Sequence, residues 1–149
     1  MGKKNKKKGP GYHDADLLIK LYDLRREAVM RESRNAIGGK FWPKSYDDVK
    51  EVLKFDNPIN AAYRQVTTYW EMVYGMGRNG IIDADYLAEN AGEGMFIFAK
   101  IKPYLEQLRE DVSPYAFQNV EWITTKCKEG KKRFAIIEGR VAKMAADRK

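Results

Sequence analysis

The residues able to do chemistry are few, and their spacing decides what each is worth. Gly75-Met76-Gly77-Arg78-Asn79-Gly80 spells G-x-G-x-x-G, the pattern that wraps a dinucleotide pyrophosphate. In such a site the glycines follow a strand and open a helix, so free amides face the phosphates. Here they close a stretch of helical periodicity, where free carbonyls project instead. No strand–helix–strand pattern surrounds the run, so no cofactor is expected. The single histidine, His13, stands near the N-terminus, and the single cysteine, Cys127, is far from it. No zinc set can be assembled from them. Glu71, Asp83, Asp85, Glu89 and Glu93 crowd one region, yet di-metal helical bundles draw on Glu-x-x-His pairs, which are absent. Nucleophilic catalysis needs a base beside a serine or cysteine. Ser33, Ser45 and Ser113 instead read as surface or capping residues. The sequence thus reads as non-enzymatic, with a carboxylate site around Glu71 as the remote alternative.

Glu71 stands out because it lies between Trp70 and Met72 on a mostly apolar stretch. The expected partner for such a carboxylate is an arginine of the first helix, Arg25 or Arg31, in a buried ion pair.

Charge is the other chemical resource. The 149-residue chain has a net charge of +7, distributed unevenly. Residues 1–13 hold five lysines and no acid, residues 126–149 hold nine basic and three acidic side chains, and the remainder is net acidic. Lys3, Lys4, Lys6, Lys7 and Lys8 at one end and Lys131, Lys132 and Arg133 at the other (with Lys126 and Lys128 beside them) form the expected polyanion-binding set. Such ends attract an acidic protein surface or a phosphate backbone. Aromatic rings for base stacking are sparse there, only Tyr12 and Phe134 being near, so RNA would be held through its backbone without sequence readout.

The elements that must position these residues are helical. From Asn57 to Gly80, Ile59, Ala62, Val66, Tyr69, Val73 and Met76 make one stripe, and Tyr63, Trp70, Tyr74 and Gly77 another beside it. Two stripes at spacings of three and four predict a central helix touched by neighbours on several sides. Asn57 and Pro58 open it and Gly77 and Gly80 close it. A first helix is expected from Asp14 or Asp16 to about Ile37, its outer side a charged row including Asp23, Arg25, Arg26, Glu27, Arg31, Glu32 and Arg34. Trp42 plugs an end of the bundle, Ser45 caps a short helix to about Phe55, and Asp83 caps another. Met95–Glu110 continues as helix with a kink at Pro103. Ser113-Pro114 opens a further helix, Lys128-Glu129-Gly130 breaks it, and a basic last helix spans about 131–146. The expectation is an all-α, single-domain bundle of five to six helices over 14–149, preceded by a basic tail, 1–13, that is disordered unless a partner orders it.

No apolar run approaches the roughly 20 residues that cross a bilayer. The lysine-rich start is followed by no apolar segment, so it does not read as a signal peptide, and Lys6 breaks the myristoylation pattern that Met-Gly begins. With one cysteine and no membrane span, a reducing, cytoplasmic setting is expected.

LYDLRREAVMRESR (21–34), TYWEMVYGMGRNGIIDADYLAEN (68–90) and IKPYLEQLRE (101–110) together resemble an uncharacterised bacterial helical family, a domain of unknown function. The resemblance spans about residues 17–123. It implies an all-α domain with Glu71 and Arg25 or Arg31 as recurring polar positions and no established activity. Members of that family often carry an N-terminal membrane anchor, where this chain has its lysines. The functional expectation is a non-catalytic interaction module for a protein partner or larger assembly, aided by its basic termini. An RNA-phosphate binder of a ribonucleoprotein is the alternative.

Overall fold

The computed structural model describes residues 9–148, and within them every regular element is a helix. In chain order these are α1 (Tyr12–Arg25), α2 (Ala28–Lys40), α3 (Tyr46–Leu53), α4 (Asn60–Arg78), α5 (Ala84–Asn90) and α6 (Glu93–Ile101). A 3-10 turn, Lys102–Tyr104, leads into α7 (Leu105–Asp111), followed by α8 (Gln118–Lys126) and α9 (Lys128–Asp147). The helices outnumber the five to six expected, and α1 starts at Tyr12, inside the span expected as tail, of which residues 1–8 lie outside the described residues.

The extra breaks have local causes. The first helix divides at Arg26-Glu27, because the Glu27 carboxylate turns back to accept the amides of Val29 (3.1 Å) and Met30 (2.9 Å). An acid read as part of a solvated row is therefore the N-cap of α2. Ser45 and Asp83 cap α3 and α5 as their spacing predicts, accepting from Asp48 N and Tyr86 N. Asn57 shapes the turn before α4, its side chain accepting from Ile59 N at 3.0 Å. Pro103 ends α6 in the 3-10 turn. Gly80 takes the left-handed conformation (φ 72°) that closes α4, so the G-x-G-x-x-G run ends a helix, the polarity that argued against a phosphate site.

Gly130 does not break a helix; the break falls at Cys127, whose extended backbone (ψ 135°) separates α8 from α9. Gly130 lies in the first turn of α9 against the end of α8, where a Cβ would stand 2.0 Å from the Ile123 carbonyl oxygen. Only glycine permits that approach. Residues 114–117 form turns rather than helix, and α8 starts after Phe117, a non-glycine residue at φ 56°.

α4 is the central post, packed against α2, α3, α5, α6 and α8. Its buried side comprises Tyr63, Val66, Trp70, Val73, Tyr74 and Gly77, while Tyr69 and Met76 are half-buried. The Tyr74 hydroxyl, fully buried, donates to Ala91 O (2.5 Å) and accepts from Met95 N (3.1 Å), which fixes the α5–α6 junction on the post. α6 is buried along nearly its whole length, Lys100 included.

Candidate functional site

The basic residues come first. Lys3, Lys4, Lys6, Lys7 and Lys8 lie outside the described residues. Lys131 and Lys132 are exposed on the outer face of α9, which they share with Lys128, Arg140 and Lys143. None of these five makes an ion pair among the described residues. Arg133 differs, because its Nε donates to Glu129 Oε2 at 3.3 Å. Small residues, Ala135, Gly139 and Ala146, run between the cations, and Ile136 and Met144 are exposed beside them. Asp147 is the acid at the end of this face.

The N-terminal segment joins the body at the same end. Asp83 N donates to Asp14 Oδ1 (2.7 Å), and His13 Nε2 lies 3.1 Å from Ile81 O. Two residues along, Asp85 Oδ1 accepts from Glu129 N at 3.0 Å. The first turn of α5 thus fastens the start of α1 and the start of α9. Gly9, to which the lysine-rich segment is joined, lines a cavity of about 420 Å3 with His13, Arg78, Asp83 and Trp122.

Glu71 has other partners than expected. Its carboxylate accepts the amides of Asn119 (3.1 Å) and Val120 (2.9 Å), the first turn of α8. The Asn119 side chain returns a hydrogen bond to Glu71 O (3.0 Å), and Arg78 Nη1 donates to Asn119 Oδ1 (3.2 Å). Glu71 is therefore a cap for α8 supplied by α4. The expected pairing with Arg25 or Arg31 is overturned: Arg25 lies over the Tyr22 ring at 5.0 Å, and Arg31 donates to Arg26 O at 3.1 Å. The reason is rotational. Successive helical residues point about 100° apart, so Trp70 faces the α2–α6 side of α4 while Glu71 faces α8. Burial pushes the Glu71 carboxyl above its ordinary value, opposed by the two amides and more weakly by Arg109 and Arg78. It borders an open cavity of about 410 Å3 with Thr67, Met72, Tyr115 and Phe117.

A partly buried ion pair forms elsewhere. Arg34 of α2 meets Glu93 of α6 through Nε (2.7 and 2.9 Å) and Nη2 (2.6 Å), and Trp70 Nε1 donates to the same carboxylate at 3.2 Å. The hydrogen bonds to Glu93 hold the Arg34 guanidinium above its already high ordinary value.

Two turns along α6, Lys100 is 5% exposed. Its Nζ donates to Ile37 O (3.2 Å) and lies 3.9 Å from the centre of the Trp42 ring, 5.0 Å from Phe96 and 6.0 Å from Phe41. No carboxylate pairs with it among the described residues. Burial, aided by Arg148, brings its ammonium down to about 7. The Arg148 guanidinium rests over Trp42 at 4.3 Å. Lys100 and Trp42 help wall a cavity of about 260 Å3 with Tyr104, Glu138 and Val141. Sequence reading passed over this lysine. Its one signal was a cation inside the otherwise apolar run Met95–Ile101.

Among the described residues no group of three or more His, Cys, Asp or Glu could hold a metal ion, and no helix is long and apolar enough to cross a membrane. Fold and site together define an all-helical domain with buried polar joints and one basic end. The chain belongs to the family described as a domain of unknown function, DUF4760, whose model matches residues 10–127. The match stops at the α8–α9 break, so the basic helix lies beyond it. No curated protein and no solved structure matches the chain.

Proposed function

We propose that the protein is a non-catalytic helical module that docks an acidic protein partner through the outer face of α9, with the N-terminal lysines adding to its charge. The observation that carries this reading is the α9 face itself. Five cations stand there without carboxylate partners among the described residues, with exposed Ile136 and Met144 alongside to supply apolar anchorage. Charge draws an acidic surface in, and buried apolar side chains hold it. The alternative ligand is an RNA phosphate backbone. It has less in its favour, because Phe134 is buried against Phe98, leaving Tyr12 as the exposed ring of the two once placed near the basic ends.

The test is purification from native extract at low salt, with and without nuclease. It uses the wild type, a Lys131→Glu/Lys132→Glu/Lys143→Glu variant and Ile136→Asp. The expected complex survives nuclease and is lost in both variants. Release by nuclease, with affinity falling steeply against log[salt], would replace the protein partner by RNA. A complex indifferent to the charge reversal would remove α9 from the interface. Deleting residues 2–8 is expected to weaken binding while leaving the melting temperature unchanged, read by calorimetry.

A further inference from the structure

The cavity between α6 and α9 has a composition that the docking reading does not use. One wall is apolar, made of Pro43, Pro103, Val141, Ala142 and Ala145 together with the Trp42 ring. Lys100 belongs to the same cavity, buried, with one hydrogen-bond acceptor for its three donors. Arg148 adds a second cation on Trp42. The charged groups around the lysine are therefore Glu138 from α9, Arg148 just past its end and Lys102 from the 3-10 turn, with the Tyr104 phenol. Glu138 is already engaged, accepting from Lys102 Nζ at 2.6 Å, and the Tyr104 hydroxyl donates to Pro43 O at 3.4 Å. The carboxylate at this cavity is taken up by Lys102, so among the described residues Lys100 has no anion of its own, and an apolar space lies next to it. An isolated buried charge is costly unless paired.

We propose that this cavity binds a small organic carboxylate with a compact aromatic or branched aliphatic body, its carboxylate meeting Lys100 and its body lying against Trp42 and α9. The volume, about 260 Å3, lies just below the usual range for ligand pockets and limits the body to roughly one ring. Cation and aromatic surface side by side also select against a neutral molecule of the same shape, which would leave the ammonium unpaired.

The full chain would be titrated calorimetrically at pH 8 with phenylacetate, 3-methylbutanoate and, as the neutral control, phenylacetamide, in two buffers of different ionisation enthalpy. At that pH Lys100 is mostly neutral, so pairing with a carboxylate takes up close to one proton, which the two buffers reveal as a difference in heat. The expected result is binding of a carboxylate with proton uptake at pH 8 and, in the same titration at pH 6 where the lysine is charged, at least tenfold weaker binding of the amide. Lys100→Met is expected to abolish the uptake and weaken binding at least tenfold. Ala142→Phe, on the exposed side of α9, narrows the cavity without touching the lysine and is expected to weaken binding as well. The proposal is overturned if neither carboxylate binds at millimolar concentration, if the amide binds as well at pH 6, or if Lys100→Met binds unchanged. Should Lys100→Met fail to fold, unchanged affinity in both Ala142→Phe and Arg148→Ala overturns it.

Discussion

Arg34 and Lys100 are both cations held at the junction of α2 and α6, and they are held in opposite ways. Arg34 lies in a fork of Glu93 oxygens, with Trp70 completing that carboxylate. Lys100, seven residues beyond Glu93 on the same helix, has aromatic faces and a backbone carbonyl but no carboxylate. The two shifts run in opposite directions for that reason. A paired carboxylate offsets desolvation and favours the charged form, whereas rings and one carbonyl do not offset it. One junction is thus a closed structural joint. The other holds a lysine with no carboxylate of its own beside a cavity, which is where the proposed ligand would act.

Opening the closed joint should have the largest effect. Glu93→Ala leaves the Arg34 guanidinium and the Trp70 N–H without their acceptor. Loss of one partner from a buried pair costs about 3–5 kcal/mol. Arg34 and Glu93 side chains retain 19% and 26% exposure, which places the expected loss near about 3 kcal/mol. The measurement is the urea midpoint at pH 7 with an unchanged m-value. A loss below about 1 kcal/mol would put this pair with ordinary surface bridges and erase the contrast with Lys100.

Glu71→Gln should have an intermediate effect, about 1–3 kcal/mol. The carboxylate accepts two amides of α8, whereas the carboxamide accepts with its oxygen and presents a donor to the second amide. Because burial raises the Glu71 pKa, the sign with pH is also fixed. The folded chain binds a proton more tightly than the unfolded one, so this group's contribution is fully present below the ordinary carboxyl value. It is lost as pH rises through the raised folded value. The wild-type advantage over Glu71→Gln is therefore expected to shrink as pH rises above the ordinary carboxyl value, followed by denaturation at several pH values. A flat difference would mean that the two amides balance burial.

The contrast between these sites also explains what the sequence could and could not reveal. Helical class, the central post and the caps at Ser45 and Asp83 were legible because they depend on residues within a turn or two of each other. Glu27 was misread for a related reason: a capping acid inside an Arg/Glu-rich row looks like any other surface charge until its carboxylate is seen to turn back on its own helix. Long-range partners were not legible. Glu93 lies 59 residues from Arg34, and Glu71 lies 48 residues from Asn119. Which carboxylate meets which donor depends on how α2 and α8 are set around α4. Gly130 was misread because glycine serves equally as a helix stop and as a point of backbone contact, and only the Ile123 carbonyl decides between them.

Lys100→Met should have the smallest effect and the most instructive one. Replacing an unpaired buried cation by an apolar side chain of similar length is neutral or stabilising, here by about 1 kcal/mol at pH 6. The Ile37 carbonyl is not stranded, since it also accepts from Phe41 N at 3.2 Å. The pH dependence separates this cause from simple repacking. Lys100 titrates near 7 in the folded chain against 10.5 ordinarily, so between those values the unfolded chain binds the proton that the folded chain releases. Wild-type stability accordingly rises with pH over that window, and below about pH 7 the full cost of the buried ammonium remains. Methionine has nothing to titrate. The gap between Lys100→Met and wild type, measured by denaturation at pH 6, 8 and 9.5, should narrow steadily and turn in favour of the lysine, whose neutral amine keeps its hydrogen bond to Ile37. A gap that stays constant would mean that the ammonium is already solvated through the cavity, and the distinction between the two cations would then be one of packing rather than of charge.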